Sequence, residues 1–297
     1  EIHTGKIPIP QKTLKSKIKE VEGLICFPYD KIDKEIIQSA KNLKVISTYS
    51  VGYDHIDTQF AKENKIRVGY TPEVLTNATA DMAFALLLDS LRRISEGDRI
   101  IRKGKWKQIY GAYDYVGLDL QSKTLGIIGL GRIGKILAKR AKAFDMKIIY
   151  HNRKQILKTK EKKLGVKYTT FNKLITQSDI ISIHVPHTKE TNQMFDMKIF
   201  KKMKNTAFLI NTSRGKVVNE KDLGMALKQK IIAGAGLDVF ETEPINKNHP
   251  FIKLENIVLA PHVGSSTKET RIKMAEITTK NLILGMKGKK PIYSIGY

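Results

Sequence analysis

Three polar side chains stand out because each follows a run of residues typical of a buried strand. Arg214 comes after TAFLINTS, Glu243 after AGLDVFET and His262 after NIVLAP. In an open parallel α/β sheet, ligands bind outside the carboxyl ends of the strands, so these three side chains can converge on one crevice. A guanidinium holds a carboxylate, an imidazole gives or takes a proton near neutral pH, and a neighbouring carboxylate orients the ring and favours its charged form.

Each of these residues also has a simpler interpretation. Arg214 and Glu243 could be surface charges, and His262 could be a residue at the start of a helix. Together they fit the reduction of a 2-oxo acid. Such a substrate needs a cation for its carboxylate, a proton donor for its carbonyl oxygen and a hydride from a bound cofactor.

A glycine-rich segment predicts where that cofactor binds. Gly129, Gly131 and Gly134 form GLGRIG between the strand TLGII and the helix KILAKRAKAF. In a dinucleotide fold the first glycine permits a tight turn, the second lets the backbone approach the pyrophosphate and the third lets helix and strand pack closely. Glycines also occur in ordinary turns, so the surrounding strand and helix are what favour a dinucleotide site.

The end of the next strand bears on which dinucleotide is used. NAD sites usually place an acid there for the ribose hydroxyls, whereas KIIYH leads into Asn152, Arg153 and Lys154. Asp145 precedes this strand and Glu161 lies well beyond it. Arg153 and Lys154 could instead hold a 2′-phosphate, or could be solvated cations of a Lys-rich protein. The missing acid predicts a preference for NADP(H), with NAD(H) as the alternative.

The apolar pattern predicts an α/β fold of two Rossmann-like domains, each a doubly wound parallel sheet. Apolar strands recur in KVISTYS, KIRVGY, TLGIIG, KIIYH, DIISIHV, TAFLIN, IAGAGLDV and NIVLAP. One long helix is expected over residues 77–103, ended by Gly104. A last helix follows Pro261 and is expected to return to the first domain. Its predicted apolar positions are Ile272, Ala275, Ile277, Leu282 and Ile283.

These elements divide the chain into two predicted domains. Residues 75–261 form the nucleotide-binding domain, and residues 1–74 with 262–297 form a substrate domain that is discontinuous in sequence. A chain of 297 residues with 41% hydrophobic content is long enough for two cores.

Composition excludes several other classes of protein. The single cysteine, Cys26, rules out an intramolecular disulfide framework, and no metal site is indicated by the spacing of the histidines. No apolar run approaches the roughly 20 residues of a membrane span, and the start EIHTGKIPIPQK lacks the centre of a signal peptide. We therefore expect a soluble, cytoplasmic protein.

The net charge of +24 invites comparison with nucleic-acid-binding proteins. The basic residues are spread along the whole chain, and no recognisable nucleic-acid module accompanies them. A solvated Lys-rich surface is the favoured interpretation, and a polyanion partner is a minor alternative.

Long segments closely resemble the D-isomer-specific 2-hydroxyacid dehydrogenases, and within them the glyoxylate and hydroxypyruvate reductases. The matching segments are SVGYDHID, EVLTNATADMAFALLL, GIIGLGRIG, INTSRGKVVNE, AGAGLDVFETEP and LAPHVGSST. The resemblance implies that Arg214, Glu243 and His262 are the active-site set. It also implies that the backbone around Val51 and Gly52 meets the substrate carboxylate, with Ser265 a further substrate contact.

The resemblance further implies a set of cofactor contacts in the nucleotide-binding domain. Arg132 and Ile133 would lie at the pyrophosphate, Val185 and Pro186 near the adenosine, and Thr212, Ser213 and Asp238 around the nicotinamide. Thr79, Thr191 and Gly264 complete the set. A homodimer, with the helix that starts near Asn77 at its interface, is also implied.

The sequence departs from the family in two places. The family begins with a further strand and helix before the region matching EIHTGKIPIP, so the substrate domain is expected to be incomplete. The segment from Trp106 to Leu120 matches poorly, and in glyoxylate reductases this stretch helps form the substrate entrance. The second difference bears on substrate choice more than on reaction type.

The leading hypothesis is an NADPH-dependent reductase of glyoxylate and hydroxypyruvate, with His262 as general acid and base. A phosphoglycerate-type or other D-2-hydroxyacid dehydrogenase using NAD is the second enzyme hypothesis. A dinucleotide-sensing interaction protein is a third, because the corepressors of this superfamily retain the same three residues.

Overall fold

The structure, a computed structural model, describes residues 1–296, and the chain forms two compact units. The smaller unit combines Glu1–Thr76 with the residues from Ser265 onward, and the larger unit is Asn77–Gly264. The boundaries expected from the sequence lie slightly earlier, after residues 74 and 261. No helix among residues 1–296 is both long and apolar enough to span a bilayer.

The elements are as follows. The helices are α1 (Gln11–Lys17), α2 (Lys34–Ser39), α3 (Thr58–Glu63), α4 (Thr76–Arg92), α5 (Ile94–Arg102), α6 (Arg132–Lys142), α7 (Lys158–Leu164), α8 (Phe171–Gln177), α9 (Met197–Phe200), α10 (Glu220–Lys228) and α11 (Lys268–Met286). The strands are β1 (Gly23–Cys26), β2 (Val45–Thr48), β3 (Arg67–Gly69), β4 (Thr124–Ile128), β5 (Lys147–His151), β6 (Lys167–Tyr168), β7 (Ile180–Ile183), β8 (Phe208–Asn211), β9 (Gly234–Leu237), β10 (Ile257–Leu259) and β11 (Ser294–Ile295). Short 3₁₀ helices occupy Ile18–Glu20, Gly215–Val217 and Pro250–Lys253.

The larger unit is built on a seven-stranded parallel sheet of order β10-β9-β8-β7-β4-β5-β6. Six of these strands coincide with the predicted apolar runs, and only the two-residue β6 is unpredicted. Strand order reverses between β4 and β7, which is where such folds bind their ligands. The adjacent residues Ile127 and Ile128 belong to different buried clusters, so the sheet is covered on both faces.

The smaller unit contains a four-stranded sheet of order β1-β2-β3-β11. Its first three strands are parallel, and β11 is antiparallel to β3, with Ser294 opposite Gly69. The predicted fold class, α/β with parallel sheets in two Rossmann-like domains, is therefore confirmed. The antiparallel strand after α11 is an addition that the sequence pattern does not indicate.

The prediction of one long helix over residues 77–103 is wrong. The helix breaks at Arg93, whose φ of 59° places it in the left-handed region. The break is stabilised locally, because Asp89 accepts a hydrogen bond of 2.7 Å from the backbone N–H of Ser95. Arg93 also donates two hydrogen bonds, of 2.8 and 2.7 Å, to Glu96. Apolar periodicity continues across the break and so cannot reveal it.

The predicted buried face of the last helix is also wrong. Ile272 and Ile283 are 50% and 45% exposed. The face of α11 that is buried carries Thr270, Met274, Thr278, Asn281 and Gly285. Small and polar residues allow the helix to approach the sheet closely: a side chain at Gly285 would overlap Val45, and Ser47 donates a 2.8 Å hydrogen bond to the carbonyl oxygen of Thr278.

Candidate active site

The glycine-rich loop leaves open space at the amino end of α6. Gly129 has a φ of 95°, and a Cβ there would lie 2.8 Å from the His184 carbonyl. A Cβ at Gly134 would lie 2.5 Å from the carbonyl oxygen of Gly129, whereas one at Gly131 would meet nothing within 4 Å. Gly129 and Gly134 are therefore required by packing. Gly131 keeps free the space beside a helix amino end, which suits a phosphate group.

Two further observations show that these residues fit a dinucleotide. The side-chain oxygen of Asn152, beyond β5, accepts a 2.6 Å hydrogen bond from the backbone N–H of Leu130 and so fixes the glycine-rich loop. The hydroxyl of Thr212 is buried without a partner in the described chain. A buried polar group of this kind requires explanation, and a bound ligand would supply its partner. The predicted contacts Arg132 and Ile133 are the first two residues of α6.

The segment after β7 is held by its own side chains. Thr191 donates a 2.7 Å hydrogen bond to the carbonyl oxygen of Pro186 and accepts one of 2.8 Å from the Thr188 N–H. Val185, beside Pro186, would contact a Cβ at Gly129. The hydroxyl of Thr191 thus shapes the turn that carries Val185 and Pro186.

His184, at the end of β7, is a feature that the sequence did not single out. Its Nε2 lies 2.9 Å from the hydroxyl of Ser182, and its Nδ1 is buried without a partner among residues 1–296. Burial lowers the pKa of His184 to about 4, so the ring is neutral near pH 7. A neutral ring at the strand switch point adds no positive charge beneath the glycine-rich loop.

Beyond β5, Arg153 and Lys154 are both exposed. The structure brings an unpredicted acid into their surroundings. The pKa of Glu190 is lowered, first by the hydrogen bond of 2.7 Å from the Thr188 hydroxyl and further by the charge of Arg153. Sequence reasoning missed Glu190 because it lies in the loop after β7, far along the chain from β5.

Asn211 organises the loop that carries Arg214. Its amide nitrogen donates to the carbonyl oxygen of Arg214 at 3.0 Å, and its oxygen accepts from the backbone N–H and the hydroxyl of Ser213 at 3.0 and 2.9 Å. Asn211 is almost fully buried. At Gly215 a Cβ would overlap the backbone of Phe240 and Glu241, so the loops after β8 and β9 touch backbone to backbone.

Glu243 and His262 form a hydrogen-bonded pair. Oε2 of Glu243 lies 2.6 Å from Nδ1 of His262, and Oε1 accepts a 2.9 Å bond from the backbone N–H of Phe240. Burial alone would raise the pKa of Glu243, but the bond to His262 and the charges of His262 and Arg214 hold it below its usual value. The three residues singled out from the sequence therefore lie in one electrostatic neighbourhood of the larger unit.

Asp238 holds the loop on which His262 stands. Its two carboxylate oxygens accept hydrogen bonds of 2.8 and 2.7 Å from the backbone N–H groups of Val263 and Gly264. Asp238 is almost fully buried, and burial raises its pKa. Thr79 lies beside the same loop, with its methyl carbon 3.6 Å from where a Cβ of Gly264 would be. These bonds explain why His262 belongs to the larger unit, beyond the boundary expected after residue 261.

The smaller unit carries the predicted substrate contacts Val51 and Gly52 in the loop after β2. The hydroxyl of Ser50 donates a 2.6 Å hydrogen bond to the carbonyl oxygen of Gly52. In the described part of the chain, the backbone N–H groups of Val51 and Gly52 have no acceptor. They remain available as donors to an anion. Ser265 begins the second stretch of this unit, where its carbonyl oxygen accepts from Thr267 at 3.0 Å.

Comparison with known proteins identifies the family. Residues 84–264 match the model of the D-isomer specific 2-hydroxyacid dehydrogenase NAD binding domain. The chain belongs to this family. The dehydrogenase is 51% identical over 285 residues to a glyoxylate reductase of Thermococcus litoralis, covering 95% of this chain and 86% of that protein.

Solved structures agree with this assignment. A protein of Thermus thermophilus superposes with a TM-score of 0.92 at 40% identity, over 99% of this chain and 92% of that one. An NADPH-dependent glyoxylate/hydroxypyruvate reductase of Sinorhizobium meliloti, in complex with NADP and malonate, gives a TM-score of 0.86 at 32% identity, over 95% and 86%. The dehydrogenase is thus an NAD(P)-dependent oxidoreductase acting on CH–OH groups. It reduces 2-oxo acids and uses a nicotinamide dinucleotide.

No group of three or more His, Cys, Asp or Glu side chains within residues 1–296 is arranged to hold a metal ion.

Proposed function

We propose that the protein reduces hydroxypyruvate to its D-2-hydroxy acid and glyoxylate to its 2-hydroxy acid, which is achiral. NADPH is the proposed hydride donor. The observation that carries the proposal is the His262–Glu243 pair, held 2.6 Å apart within the electrostatic reach of Arg214. The Thermococcus litoralis relative is named a glyoxylate reductase, and the Sinorhizobium meliloti structure is that of an NADPH-dependent glyoxylate/hydroxypyruvate reductase.

Arg214 is proposed to bind the substrate carboxylate. Its guanidinium can make paired charge-assisted hydrogen bonds to a carboxylate, and its positive charge also polarises the adjacent carbonyl group. Asn211 supports this role, because it holds the carbonyl oxygen of Arg214 and the backbone of Ser213. In the smaller unit, the free N–H groups of Val51 and Gly52 are proposed to donate hydrogen bonds to a carboxylate as well.

His262 is proposed as the general acid in reduction and the general base in oxidation. Because Nδ1 is bound to Glu243, Nε2 is the nitrogen that gives its proton to the keto oxygen as the alcohol forms. Glu243 stabilises the charged ring before that transfer and fixes its orientation. The nicotinamide, when bound, supplies the hydride.

The preference for NADPH is proposed from the residues beyond β5. Asn152 is used in holding the glycine-rich loop, and the exposed Arg153 and Lys154 follow it with no acid at the strand end. An arginine at this position suits a 2′-phosphate because its fork can make two charge-assisted hydrogen bonds. The NADP-bound relative is consistent with this preference.

The direct test is the oxidation of NADPH and NADH, followed by absorbance, with glyoxylate, hydroxypyruvate and pyruvate. We expect turnover with the first two substrates, faster with NADPH, and its loss in His262→Ala. If neither dinucleotide is oxidised with any small 2-oxo acid, the proposed function is wrong. Product formation from 3-phosphoglycerate and NAD would favour the phosphoglycerate-type alternative.

We also propose a homodimer formed through the larger unit. Helix α5 has no buried residue, with Ile94 and Ile101 each 60% exposed, and Ile109 and Tyr113 beyond it are 90% and 93% exposed. Apolar surface of this extent is typical of a protein interface, and a second copy of the chain is the proposed occupant. Light scattering should give twice the mass of one chain, and Ile101→Asp with Ile109→Asp should give a single chain.

A further inference from the structure

Two segments of the smaller unit contain residues that the family resemblance implies as substrate contacts. One is the loop Tyr49–Gly52 after β2, and the other is Ser265–Ser266 before α11. They are far apart in sequence, and one arginine side chain contacts both of them. That side chain is Arg271, in the second turn of α11.

Arg271 contacts both segments. Its guanidinium donates a 2.6 Å hydrogen bond to the hydroxyl of Ser266 and lies 5.7 Å from the centre of the Tyr49 ring. Its carbonyl oxygen accepts a 2.7 Å hydrogen bond from the hydroxyl of Tyr49. Tyr49 is thus bound to α11 both by a hydrogen bond and by a cation–π contact.

Tyr49 is also held from the side of β1. Its ring lies 5.3 Å from that of Phe27, which is stacked on Tyr29 at 5.4 Å with an angle of 3° between the planes. Its backbone N–H donates to the carbonyl oxygen of Cys26 at 2.9 Å. Contacts on both sides leave the first residue of the loop little freedom to move.

The rest of the loop depends on this fixed start. Ser50 accepts a hydrogen bond of 2.9 Å at its carbonyl oxygen from the Thr71 N–H, and its hydroxyl lies 2.7 Å from that of Thr48. The same hydroxyl donates to the carbonyl oxygen of Gly52. With that carbonyl engaged, the N–H groups of Val51 and Gly52 remain as backbone donors for a ligand.

We propose that Arg271 and Tyr49 are positioning residues for the substrate carboxylate. They fix the N–H groups of Val51 and Gly52 relative to Ser265 and Ser266 through contacts within the chain. The pair therefore affects how well a 2-oxo acid is held, while His262 carries out the proton transfer. This role rests on the proposed function.

The pair is tested by Tyr49→Phe, which removes one hydrogen bond and keeps the ring, and by Arg271→Ala, which removes the guanidinium and keeps the carbonyl oxygen. Each variant is expected to raise KM for glyoxylate about fivefold to tenfold, the effect of one hydrogen bond, with kcat changed less than about twofold. The dissociation constant of NADPH should stay unchanged. In the double variant the two effects should be less than additive in free energy, because both residues act on one loop.

Arg67→Ala is the matched control. Arg67 donates a 2.8 Å hydrogen bond to the carbonyl oxygen of Gly288, just beyond the other end of α11, so its loss weakens the same helix away from the loop. If Tyr49→Phe and Arg271→Ala change KM no more than Arg67→Ala does, the inference is wrong. If KM rises while kcat and the affinity for NADPH fall by similar factors, the role of the pair is merely structural. That result would also overturn the inference.

Hydrogen exchange separates this inference from the proposed function. If the wild-type protein reduces no 2-oxo acid, the proposed function fails, and the pair is judged by exchange at the N–H groups of Tyr49 and Thr71, which donate to the carbonyl oxygens of Cys26 and Ser50. Faster exchange in Tyr49→Phe than in Arg67→Ala would support the positioning role. Identical exchange in the two variants would refute it.

Discussion

Nδ1 of His262 lies 2.6 Å from Oε2 of Glu243, and the other oxygen of the same carboxylate accepts a bond from the backbone of Phe240. Glu243 is therefore fixed at one end by its own loop and holds the imidazole at the other. This arrangement sets the orientation of His262 without using Nε2. The left-handed φ of His262, 55°, is stabilised by the bonds from Val263 and Gly264 to Asp238.

Replacing Glu243 by Gln should weaken reduction. The amide keeps the size of the side chain but loses the negative charge that stabilises a protonated ring. We expect kcat/KM to fall about tenfold to a hundredfold. Glu241→Gln, two residues earlier on the same loop, is the matched control. A kcat/KM of Glu243→Gln equal to that of the wild type would contradict the role of the pair.

Alanine at two glycines should separate the fold from ligand binding. Gly131→Ala places a methyl group in open space at an ordinary φ of −82°, so the melting temperature without ligand should be unchanged while dinucleotide affinity falls at least about tenfold. Gly134→Ala presses on the carbonyl oxygen of Gly129 and should lower the melting temperature itself. Differential scanning fluorimetry and fluorescence titration with NADPH measure both quantities. Undiminished affinity in Gly131→Ala would exclude a close pyrophosphate.

Glu190 should moderate the choice between NADPH and NADH. Because its charge interacts with that of Arg153, Glu190→Gln should raise the ratio of kcat/KM for NADPH over NADH, and Arg153→Ala should lower it about tenfold. Both effects should shrink at high salt, since the groups are exposed. Lys160→Ala, an exposed cation on α7, serves as the control. An unchanged ratio in Arg153→Ala would mean that the 2′-phosphate binds elsewhere.

His184 should contribute to the loss of stability in acid. Burial lowers its pKa from 6.5 to about 4, so between these values the unfolded chain binds a proton that the folded chain does not. The stability present above pH 6.5 is therefore lost as pH falls towards 4, by at most about 1.4 kcal/mol per pH unit from this group. Urea unfolding of His184→Asn at several pH values should give a shallower slope. Parallel slopes in the two proteins would show that His184 does not titrate in this range.

Much of the fold could be predicted because parallel strands covered on both faces are continuous apolar runs. Segments such as TLGIIG and TAFLIN therefore mark β4 and β8 directly. Glycine spacing located the nucleotide loop because packing excludes a side chain at Gly129 and Gly134, while Gly131 leaves space for a ligand. The candidate active-site residues Arg214, Glu243 and His262 could be predicted because each lies shortly after one of those strands.

The remainder depends on contacts between residues distant in sequence. The left-handed Arg93 is stabilised by Asp89 and Glu96 through side-chain geometry that apolar periodicity does not encode. Helix α11 buries Asn281 because its side-chain amide is paired with backbone groups. The amide nitrogen donates to the carbonyl oxygen of Tyr70, and the amide oxygen accepts from the backbone N–H of Tyr293. Neither partner can be inferred from the helix alone. Asn211 was likewise overlooked because its three hydrogen bonds exist only once the loop has folded around it.

Gly215 has a consequence for altering this enzyme by design. Because any side chain there would overlap Phe240 and Glu241, the loops bearing Arg214 and Glu243 are packed directly against each other. A shift of one loop would therefore move the other. A mutant library that varies residues 212–216 to accept new substrates would disturb the acid–base pair whenever it changed this position. Such a library should therefore keep Gly215 constant.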